Sequence, residues 1–281
     1  MSANSTLQST LLPTLRQGDK GKAVQTCQGQ LCEHGYPVTI DGDFGAGTAA
    51  AVVRFQQDHS LGADGIIGPK TWTALLALPA GTTIYPKGQL PPVLLQMQKL
   101  GYQILTKGDY HLNLFGIRSP TTQADRFDDI LGCAYTVNGQ WREARWAGTT
   151  DPGSKSLQVM ENSAGCAILV EGQYLNTWKI DLHAGKYEAL CQRAGEVRVY
   201  RDSDRDTTLD MDAARIQKGT FGINLHHASY TGTSTAVQDW SAGCQVHASI
   251  TTFEQMMALA RKQVSALGLT TFSYTLLRQW W

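Results

Sequence analysis

The sequence lacks both an excess of charge of one sign and a long apolar run. Its 24 Lys and Arg balance 24 Asp and Glu, which leaves no electrostatic footprint for nucleic acid or an anionic membrane. No stretch approaches the roughly 20 apolar residues of a membrane span. The opening residues MSANSTLQSTLLPTLRQGDK have neither the charged region nor the apolar region of a secretory signal. These absences predict a chain that does not bind nucleic acid and neither binds to nor inserts into a membrane.

Cysteine is also sparse, with six residues in 281, too few for a dense disulfide framework. Most of these cysteines are therefore expected to be small buried side chains. The length allows two modest domains, each with its own hydrophobic core.

The first eighty residues contain an internal repeat. DGDFGAGTAAAV, beginning at Asp41, and DGIIGPKTWTAL, beginning at Asp64, share the pattern D-G-x-x-G-x-x-T-x-x-A. Asp-Gly predicts a turn, Gly45 and Gly68 occupy helix N-cap positions, and Pro69 suits the first helical position. Each repeat therefore predicts a turn that leads into a helix.

An upstream helix with Val24, Cys27 and Leu31 on its apolar face completes a predicted three-helix unit. Cys27 is interpreted as a core residue rather than a redox partner of Cys32. The segment from Leu15 to about Leu76 resembles the three-helix peptidoglycan-binding domain attached to many cell-wall enzymes, and that resemblance implies wall binding. The matching residues are Gly18, Gly21, Gly35, Tyr36, Asp41, Gly42, Gly45, Phe55, Gln56, Asp64, Gly65, Gly68 and Trp72.

Composition then divides the chain. We expect an N-terminal tail over 1–14, the wall-binding domain over 15–78, a linker rich in Pro and Gly over 79–92 and a catalytic domain over 93–281. Strands are predicted near Glu196, Gly219 and Thr270, and one amphipathic helix is predicted before Gly268 with a capping box at Thr251 and Glu254. The fold class is thus α+β, with a small helical domain followed by a mostly β domain that has helical additions.

The tetrapeptide SAGC occurs twice, as Ser163–Cys166 (the first SAGC turn) and as Ser241–Cys244 (the second SAGC turn). A cysteine attacks as its thiolate, so a nucleophile needs a base or cation nearby. Cys244 has two candidate bases upstream in HHAS, whereas the run after Cys166 reads as an apolar strand. Cys244 is therefore the predicted nucleophile, and Cys166 is expected to pack or to line a wall.

Strand alternation separates the two candidate bases. His227 shares a predicted face with apolar residues, so a hydrogen-bonded core histidine competes with a catalytic role for it. His226 shares the other face with Asn224 and is the predicted base.

The segment FGINLHHASYTGTSTAVQDWSAGCQV resembles the active-site segment of the L,D-transpeptidase catalytic domain, in which a histidine precedes Ser/Thr-His-Gly-Cys by 14 to 17 residues. Fourteen residues separate His226 from Ser241 here. The resemblance implies a mostly β catalytic domain, a Cys-His pair and action on peptidoglycan stem peptides. The chain departs from the family pattern in two places: Ala242 stands where the family has histidine, and Gln245–Val246 follow the cysteine where the family commonly has arginine or asparagine. Hydrolysis of an L,D bond is therefore favoured over transpeptidation.

Further site residues follow from this hypothesis. Ser241 is a candidate to orient His226, and backbone N–H groups at Gly243 and Cys244 are candidates for an oxyanion hole. Asn224, Tyr174, Trp178 and His183 are candidates to line a peptide groove, with core packing as the alternative for the aromatic residues. No cofactor is expected. The acidic loop Arg201–Asp212 departs from a calcium-binding loop at Thr207 and Ala213 and is predicted to be solvated.

Three alternatives remain open. A zinc peptidase would need a third ligand beside His226 and His227, and no H-E-x-x-H is present. A glycan-cleaving enzyme would use a carboxylate pair such as Glu143 with Asp151 or Asp129. The third alternative is a non-catalytic wall-binding protein, in which alkylation of Cys244 would change no activity. Action in the periplasm or cell wall is expected, after delivery by a secretion system or phage lysis or after removal of a signal.

Overall fold

The structure is a computed structural model that describes residues 12–77, 81–160 and 162–281. The chain divides into two compact units between residues 80 and 81. The unit boundary thus falls at the start of the segment expected as a linker over 79–92. Within that segment, strand β1 (Thr82–Ile84) belongs to the second unit, where it pairs with β4 (Gln140–Thr149).

Three helices form the first unit: α1 (Lys22–Glu33), α2 (Ala46–Asp58) and α3 (Pro69–Leu75). Gly45 and Gly68 are the N-caps of α2 and α3, and Pro69 opens α3 as predicted. The helices enclose one apolar core that includes Cys27, which is fully buried. The sequence interpretation of the repeat and of this cysteine is confirmed.

The repeat has a structural basis in two equivalent hydrogen-bond networks. The Gln28 amide donates to Asp41 and Thr48 at 2.8 and 3.2 Å and accepts from the Gly42 N–H at 2.8 Å. Gln56 makes the corresponding bonds in the second copy, with partner residues Asp64, Thr71 and Gly65 at 2.9, 3.2 and 2.9 Å. A buried glutamine therefore ties each Asp-Gly turn to the helix that follows it.

Strands are the main secondary structure of the second unit. Helix α4 (Pro92–Lys99) precedes β2 (Asn113–Arg118), β3 (Asp129–Val137) and β4, and the short helix α5 (Ser154–Val159) precedes β5 (Cys166–Leu169). The later elements are β6 (Gly172–His183), β7 (Tyr187–Gln192), β8 (Val197–Asp202), a 3₁₀ turn at Ala213–Arg215, β9 (Gln217–Gly219), β10 (Leu225–His227), β11 (Gln245–His247), α6 (Ile250–Leu267) and β12 (Thr271–Arg278).

Nine strands form one sheet in the order β1-β4-β11-β10-β7-β6-β12-β2-β3, and β3 also pairs with β4. This pairing closes eight of the strands into a ring. A second sheet has the order β5-β8-β9. The predicted order of a helical domain followed by a mostly β domain is confirmed.

Helix α6 packs its apolar face into the core of the second unit through Phe253, Met256 and Met257. Its N-cap is Ser249, whose hydroxyl accepts from the Thr251 N–H, so the capping box predicted at Thr251 and Glu254 is wrong by two residues. The helix begins earlier because Ser249 is the residue that has extended backbone. Gly268 ends it at φ 67°.

The predicted strand near Gly219 is also shorter than expected. Backbone pairing stops at Gly219 and resumes at Leu225, and Gly222 lies between them at φ 72°. A positive φ is incompatible with a continuous strand, so the segment before His226 bends instead of continuing the ladder. None of the helices that the structure describes is long and apolar enough to cross a membrane.

Candidate active site

Two parallel strands place the predicted nucleophile beside the predicted base. In the β10–β11 ladder, His226 is opposite Val246, and the Gln245 N–H donates to the Asn224 carbonyl at 2.8 Å. Cys244 is the residue that enters β11, so it neighbours Asn224 at the start of the ladder. Partner residues of a parallel pair share a face, which puts Cys244, Asn224 and His226 on one side of the sheet.

The second SAGC turn is held by its own serine. The Ser241 hydroxyl donates to the Cys244 carbonyl at 3.0 Å and accepts from the Gly243 N–H at 3.1 Å. Ser241 therefore shapes the turn, and its hydroxyl is not bonded to His226, the residue it was expected to orient. The Gly243 N–H is likewise committed to the turn instead of being open to an oxyanion.

Gly243 has a steric role as well. Its φ is 120°, and a β-carbon there would collide with the carbonyl oxygen of Ala167. Ala167 belongs to β5, directly after the first SAGC turn, so the two copies of the tetrapeptide lie against each other. Glycine is required because no other residue allows this approach of backbone to backbone.

The thiol of Cys244 sits between two backbone groups. The Asn224 N–H points at its sulfur at 3.4 Å, and the sulfur lies 3.4 Å from the Gly222 carbonyl. Burial raises the pKa of the Cys244 thiol to about 11, although the Asn224 N–H favours the thiolate. The side chain is nevertheless partly exposed. In this state the sulfur is a thiol that donates to Gly222.

His226 is oriented by a backbone carbonyl. Its Nδ1 lies 2.9 Å from the carbonyl oxygen of His227, and the Tyr187 hydroxyl is 3.4 Å from the same nitrogen. A carbonyl can only accept, so Nδ1 carries the proton and Nε2 keeps its lone pair. Burial, followed by the neighbouring His183, lowers the pKa of His226 to about 3. The ring is thus a neutral imidazole with Nε2 as its basic atom.

A second imidazole supports the first. The rings of His183 and His226 stack with centroids 4.2 Å apart, and the His183 Nδ1 lies 3.1 Å from the Asn224 side-chain nitrogen. The Gln192 N–H donates to Asn224 Oδ1 at 2.9 Å, which fixes the amide so that its NH₂ faces His183. His183 Nδ1 is therefore an acceptor, and burial lowers the pKa of this histidine as well.

The resting pair is consequently uncharged. A thiol of raised pKa and an imidazole of lowered pKa do not exchange a proton in the substrate-free protein, and no hydrogen bond joins Cys244 to His226 in the described part of the chain. Proton transfer requires a rotation of the thiol away from Gly222. The resting arrangement is therefore not a preformed thiolate–imidazolium pair, and a proton could pass to His226 only as the thiol attacks.

Other predicted site residues lie elsewhere. His227 is buried among aromatic rings, with its Nδ1 3.1 Å from the Ser229 carbonyl and its ring stacked on Tyr187. Tyr174 and Trp178 belong to the core instead of a groove, and their polar atoms donate to the carbonyls of Val170 and Ile223 at 2.7 and 2.6 Å. Their β6 positions face inward, which explains the difference. Of the four expected groove residues, His183 and Asn224 adjoin the histidine and cysteine.

The carboxylates of the glycan-cleaving alternative are structural. Asp151 pairs with the buried Arg118 at 2.9 Å, and Asp129 accepts from the Thr150 N–H at 2.7 Å. Glu143 pairs with Arg145 and accepts from the Tyr85 hydroxyl. All three are buried in these networks. The Asp-Pro-Gly turn that contains Asp151 instead buttresses the second SAGC turn, since the Gly153 N–H donates to the Ser241 carbonyl at 2.9 Å.

The acidic loop gathers three carboxylates. Within residues 12–77, 81–160 and 162–281, Asp202, Asp204 and Asp210 form the one group of three His, Cys, Asp or Glu side chains whose ligand atoms all lie within 4.8 Å of one another. Asp202 Oδ2 accepts from the Asp210 N–H at 2.9 Å, which draws the two ends of the loop together.

A cavity of about 580 Å³ lies between the two SAGC turns. Cys166, Ala167 and Ala242 contribute to its wall, so Cys166 lines a wall as the sequence suggested. The cavity also contains the side chain of Arg201. The prediction that the acidic loop is solvated from Arg201 onward is wrong at its start, because Arg201 and Asp202 end strand β8 and are 5% and 1% exposed. The repeated tetrapeptide is the sequence signal that could have predicted this cavity, because small residues of both copies line it.

Residues 20–75 match the family described as a putative peptidoglycan binding domain, which confirms the resemblance of the N-terminal domain. A zinc D-Ala-D-Ala carboxypeptidase of Streptomyces albus G is 46% identical to this chain over 70 residues, covering 23% of this chain and 27% of that protein. The chain thus matches about a quarter of the length of that curated relative.

Two solved structures complete the comparison. A peptidoglycan-binding protein from Clostridioides difficile is 48% identical over 23% of this chain and 40% of its own, with a TM-score of 0.23. An L,D-transpeptidase from Xylanimonas cellulosilytica aligns over 93% of this chain and 96% of its own at 15% identity, with a TM-score of 0.24. TM-scores this low do not define a shared fold.

Proposed function

We propose that the protein is a peptidoglycan-directed cysteine peptidase that hydrolyses a bond in stem peptides or their cross-links, with Cys244 as nucleophile and His226 as general base. The observation that carries the proposal is the bond from His226 Nδ1 to the His227 carbonyl, because it leaves Nε2 basic on the sheet face that Cys244 shares. The N-terminal match supplies the substrate class, since a wall-binding domain holds an enzyme against an insoluble polymer.

The reaction has two balanced stages. As substrate enters, the Cys244 thiol turns from Gly222, its proton passes to His226 Nε2, and the sulfur attacks the peptide carbonyl carbon. The tetrahedral intermediate collapses by breaking the C–N bond, and the departing amine takes the proton from the imidazolium. Water then attacks the thioester with His226 again as base, releasing the carboxylate and restoring the thiol.

The environment of His226 favours transfer of the proton from its imidazolium to the leaving amine. Because burial lowers the pKa of His226 to about 3, its imidazolium is a strong acid that protonates a leaving amine readily. The Gly243 N–H is bonded to Ser241, so the Cys244 N–H is the candidate donor for the oxyanion. His183 and Asn224 act as positioning residues: His183 stacks on the ring of the base, and Asn224 contacts His183.

The function is tested by mass spectrometry of fragments released from purified peptidoglycan by the full-length protein. We expect shortened or uncrosslinked stem peptides with the natural chain and with Cys166→Ala, and none with Cys244→Ala or His226→Gln. Release that persists without Cys244 would overturn the cysteine mechanism; cut glycan would then indicate carboxylate chemistry, and zinc in stoichiometric amount would indicate a metallopeptidase.

Transfer to an amine is the competing outcome of the same acyl-enzyme. Adding an excess of an acceptor amino acid to the digest distinguishes the two, because transfer yields stem peptides whose mass includes the acceptor. We expect hydrolysis to dominate, since Ala242 replaces the histidine before the Gly-Cys of the L,D-transpeptidase pattern and Gln245–Val246 do not supply the arginine or asparagine that commonly follows the cysteine.

A further inference from the structure

The 580 Å³ cavity between the two SAGC turns is open to solvent and carries two cationic side chains and one acidic side chain. The acidic residue, Asp239, lies 3.7 Å from Lys155 at the exposed rim. That pair leaves Arg201 as the inner cation. The remaining wall is formed by Ser156, Val159, Asn162, Gly165, Cys166, Ala167, Thr220, Phe221 and Ala242.

Arg201 is held rigidly on β8. Its Nε donates to Gln217 at 2.9 Å, its Nη1 donates to the Gly165 carbonyl at 3.0 Å, and the guanidinium lies 4.7 Å from the centre of the Phe221 ring. The residue is 5% exposed. These contacts fix the plane of the guanidinium at the cavity wall.

Arg201 has no carboxylate partner among the residues that the structure describes. The other deeply buried arginine, Arg118, is neutralised by Asp151 at 2.9 Å and Glu171 at 3.2 Å. An unpaired charge in a buried position is costly, and burial lowers the pKa of Arg201. The molecule keeps a cation in place without its own counter-ion, as a site for an anionic ligand requires.

The cavity adjoins the proposed nucleophile. Phe221 directly precedes Gly222, whose carbonyl contacts the Cys244 sulfur, and Ala242 is two residues before Cys244 in the same turn. A peptide bound in the cavity with its charged end at Arg201 would pass this junction. Nε and Nη1 of Arg201 donate to Gln217 and Gly165, which leaves the Nη1–Nη2 edge of the fixed guanidinium for a carboxylate, a planar group that accepts two parallel hydrogen bonds.

We propose that this cavity is a carboxylate subsite in which Arg201 binds a free carboxylate of the peptide substrate. The proposal rests on the proposed function for the identity of the peptide, and it makes Arg201 a specificity-determining residue that separates stem peptides with a free terminal carboxylate from those whose end is blocked. Amidation or cross-linking at that carboxylate would remove the charge that Arg201 recognises.

The test compares two probes on the full-length chain carrying Cys244→Ala, which prevents turnover: a stem tetrapeptide with a free C-terminal carboxylate and the same peptide as its C-terminal amide. Affinities are measured by calorimetry or NMR titration. We expect the free acid to bind at least about tenfold more tightly than the amide, as for a charge-assisted hydrogen bond in a buried position.

Arg201→Gln should reduce that preference to about onefold, whereas Arg201→Lys should keep part of it and Arg198→Gln, an exposed arginine on the same strand, should keep all of it. Melting curves verify that each variant is folded. A merely structural role for Arg201 would weaken both probes equally and leave their ratio unchanged, which would overturn the proposal, as would equal binding of acid and amide to the unsubstituted site.

The two proposals fail separately. If cleavage depends on Cys244 but is equal for peptides with a free and with a blocked carboxylate, the subsite proposal is overturned and the peptidase proposal stands. If binding shows a carboxylate preference that depends on Arg201 but the natural protein cleaves no peptidoglycan, the peptidase proposal is overturned and the subsite proposal stands.

Discussion

The imidazole rings of His183 and His226 stack with centroids 4.2 Å apart and planes inclined by 19°. His183 covers the face of the proposed base and, through Asn224, is tied to the strand that carries it. Burial is the largest cause of the lowered pKa of His226, and His183, a neighbour 43 residues earlier in the chain, is the second.

Replacing the covering ring should change the titration of the base. In His183→Ala, water reaches His226, and we expect the pKa of His226 to rise from about 3 toward its ordinary value, because burial and the neighbouring imidazole are the two largest causes of its lowering. His183→Phe keeps the cover and should give the smaller rise. Imidazole NMR titrations measure both; an unchanged pKa in His183→Ala would contradict this account.

Alkylation of Cys244 should accelerate with pH. Because burial raises the pKa of its thiol to about 11, the thiolate fraction grows about tenfold for each pH unit between pH 7 and 10. Mass spectrometry of iodoacetamide labelling, with Cys244→Ser identifying the labelled site, measures the rate. A rate that is constant above pH 7 would mean that the thiolate is already formed, as in a preformed ion pair with His226.

Gly243→Ala should destabilise the second unit strongly. The substitution places a methyl group against the Ala167 carbonyl at φ 120°, and we expect a loss of about 3 kcal/mol or more in the free energy of unfolding, together with loss of peptidoglycan cleavage. Gly185→Ala is the matched control, because Gly185 has φ 70° but nothing within 4 Å of an added β-carbon. Denaturant unfolding compares them, and equal losses would show that contact with Ala167 is unimportant.

The two glutamine networks should contribute equally to the first unit. Gln28→Ala and Gln56→Ala each leave an Asp-Gly turn without its buried partner, so we expect each to lower the free energy of unfolding by about 1–3 kcal/mol. Thermal unfolding of the full-length chain and sedimentation with insoluble peptidoglycan measure stability and binding. A large effect in one copy only would contradict the equivalence of the repeats.

Acid should destabilise the second unit through its buried histidines. Burial lowers the pKa of His226 and of His247 to about 3, below the ordinary value of 6.5. The unfolded chain therefore takes up protons first, so this stability is fully present above pH 6.5 and declines as the pH falls toward 3, by up to about 1.4 kcal/mol per pH unit for each histidine. Denaturant unfolding at pH 7, 5 and 4 checks the slope, which His247→Gln should reduce.

The sequence predicted those features that depend on local chemistry. Asp-Gly turns, Gly N-caps and the 3.6-residue period of α1 are properties of neighbouring residues, so the first unit could be inferred almost completely. Strand alternation likewise separated His226 from His227. Both side chains are 3% exposed, so burial does not distinguish them. The difference lies in their ring contacts, because His226 stacks on His183 and His227 stacks on Tyr187.

The remaining parts of the site depend on long-range packing. The cover of His226 by His183 and the contact of Gly243 with Ala167 join segments 43 and 76 positions apart, and no periodicity records such pairs. Arg201 was expected in a solvated loop because it opens a run rich in Asp, and its burial without a carboxylate partner is visible only when the positions of the carboxylates are known. Tyr174 and Trp178 were misassigned because the sequence does not say which face of β6 is covered.

The closure of the large sheet through β3 and β4 has a consequence for the behaviour of the protein at high local concentration. The outer strand of the large sheet is three-residue β1, and the second sheet ends in β5 and β9, with four and three residues. Short edges of this kind are poor templates for a strand from another molecule. Many copies crowded onto one insoluble surface would therefore resist edge-to-edge aggregation, and each would remain separately available to its own binding site.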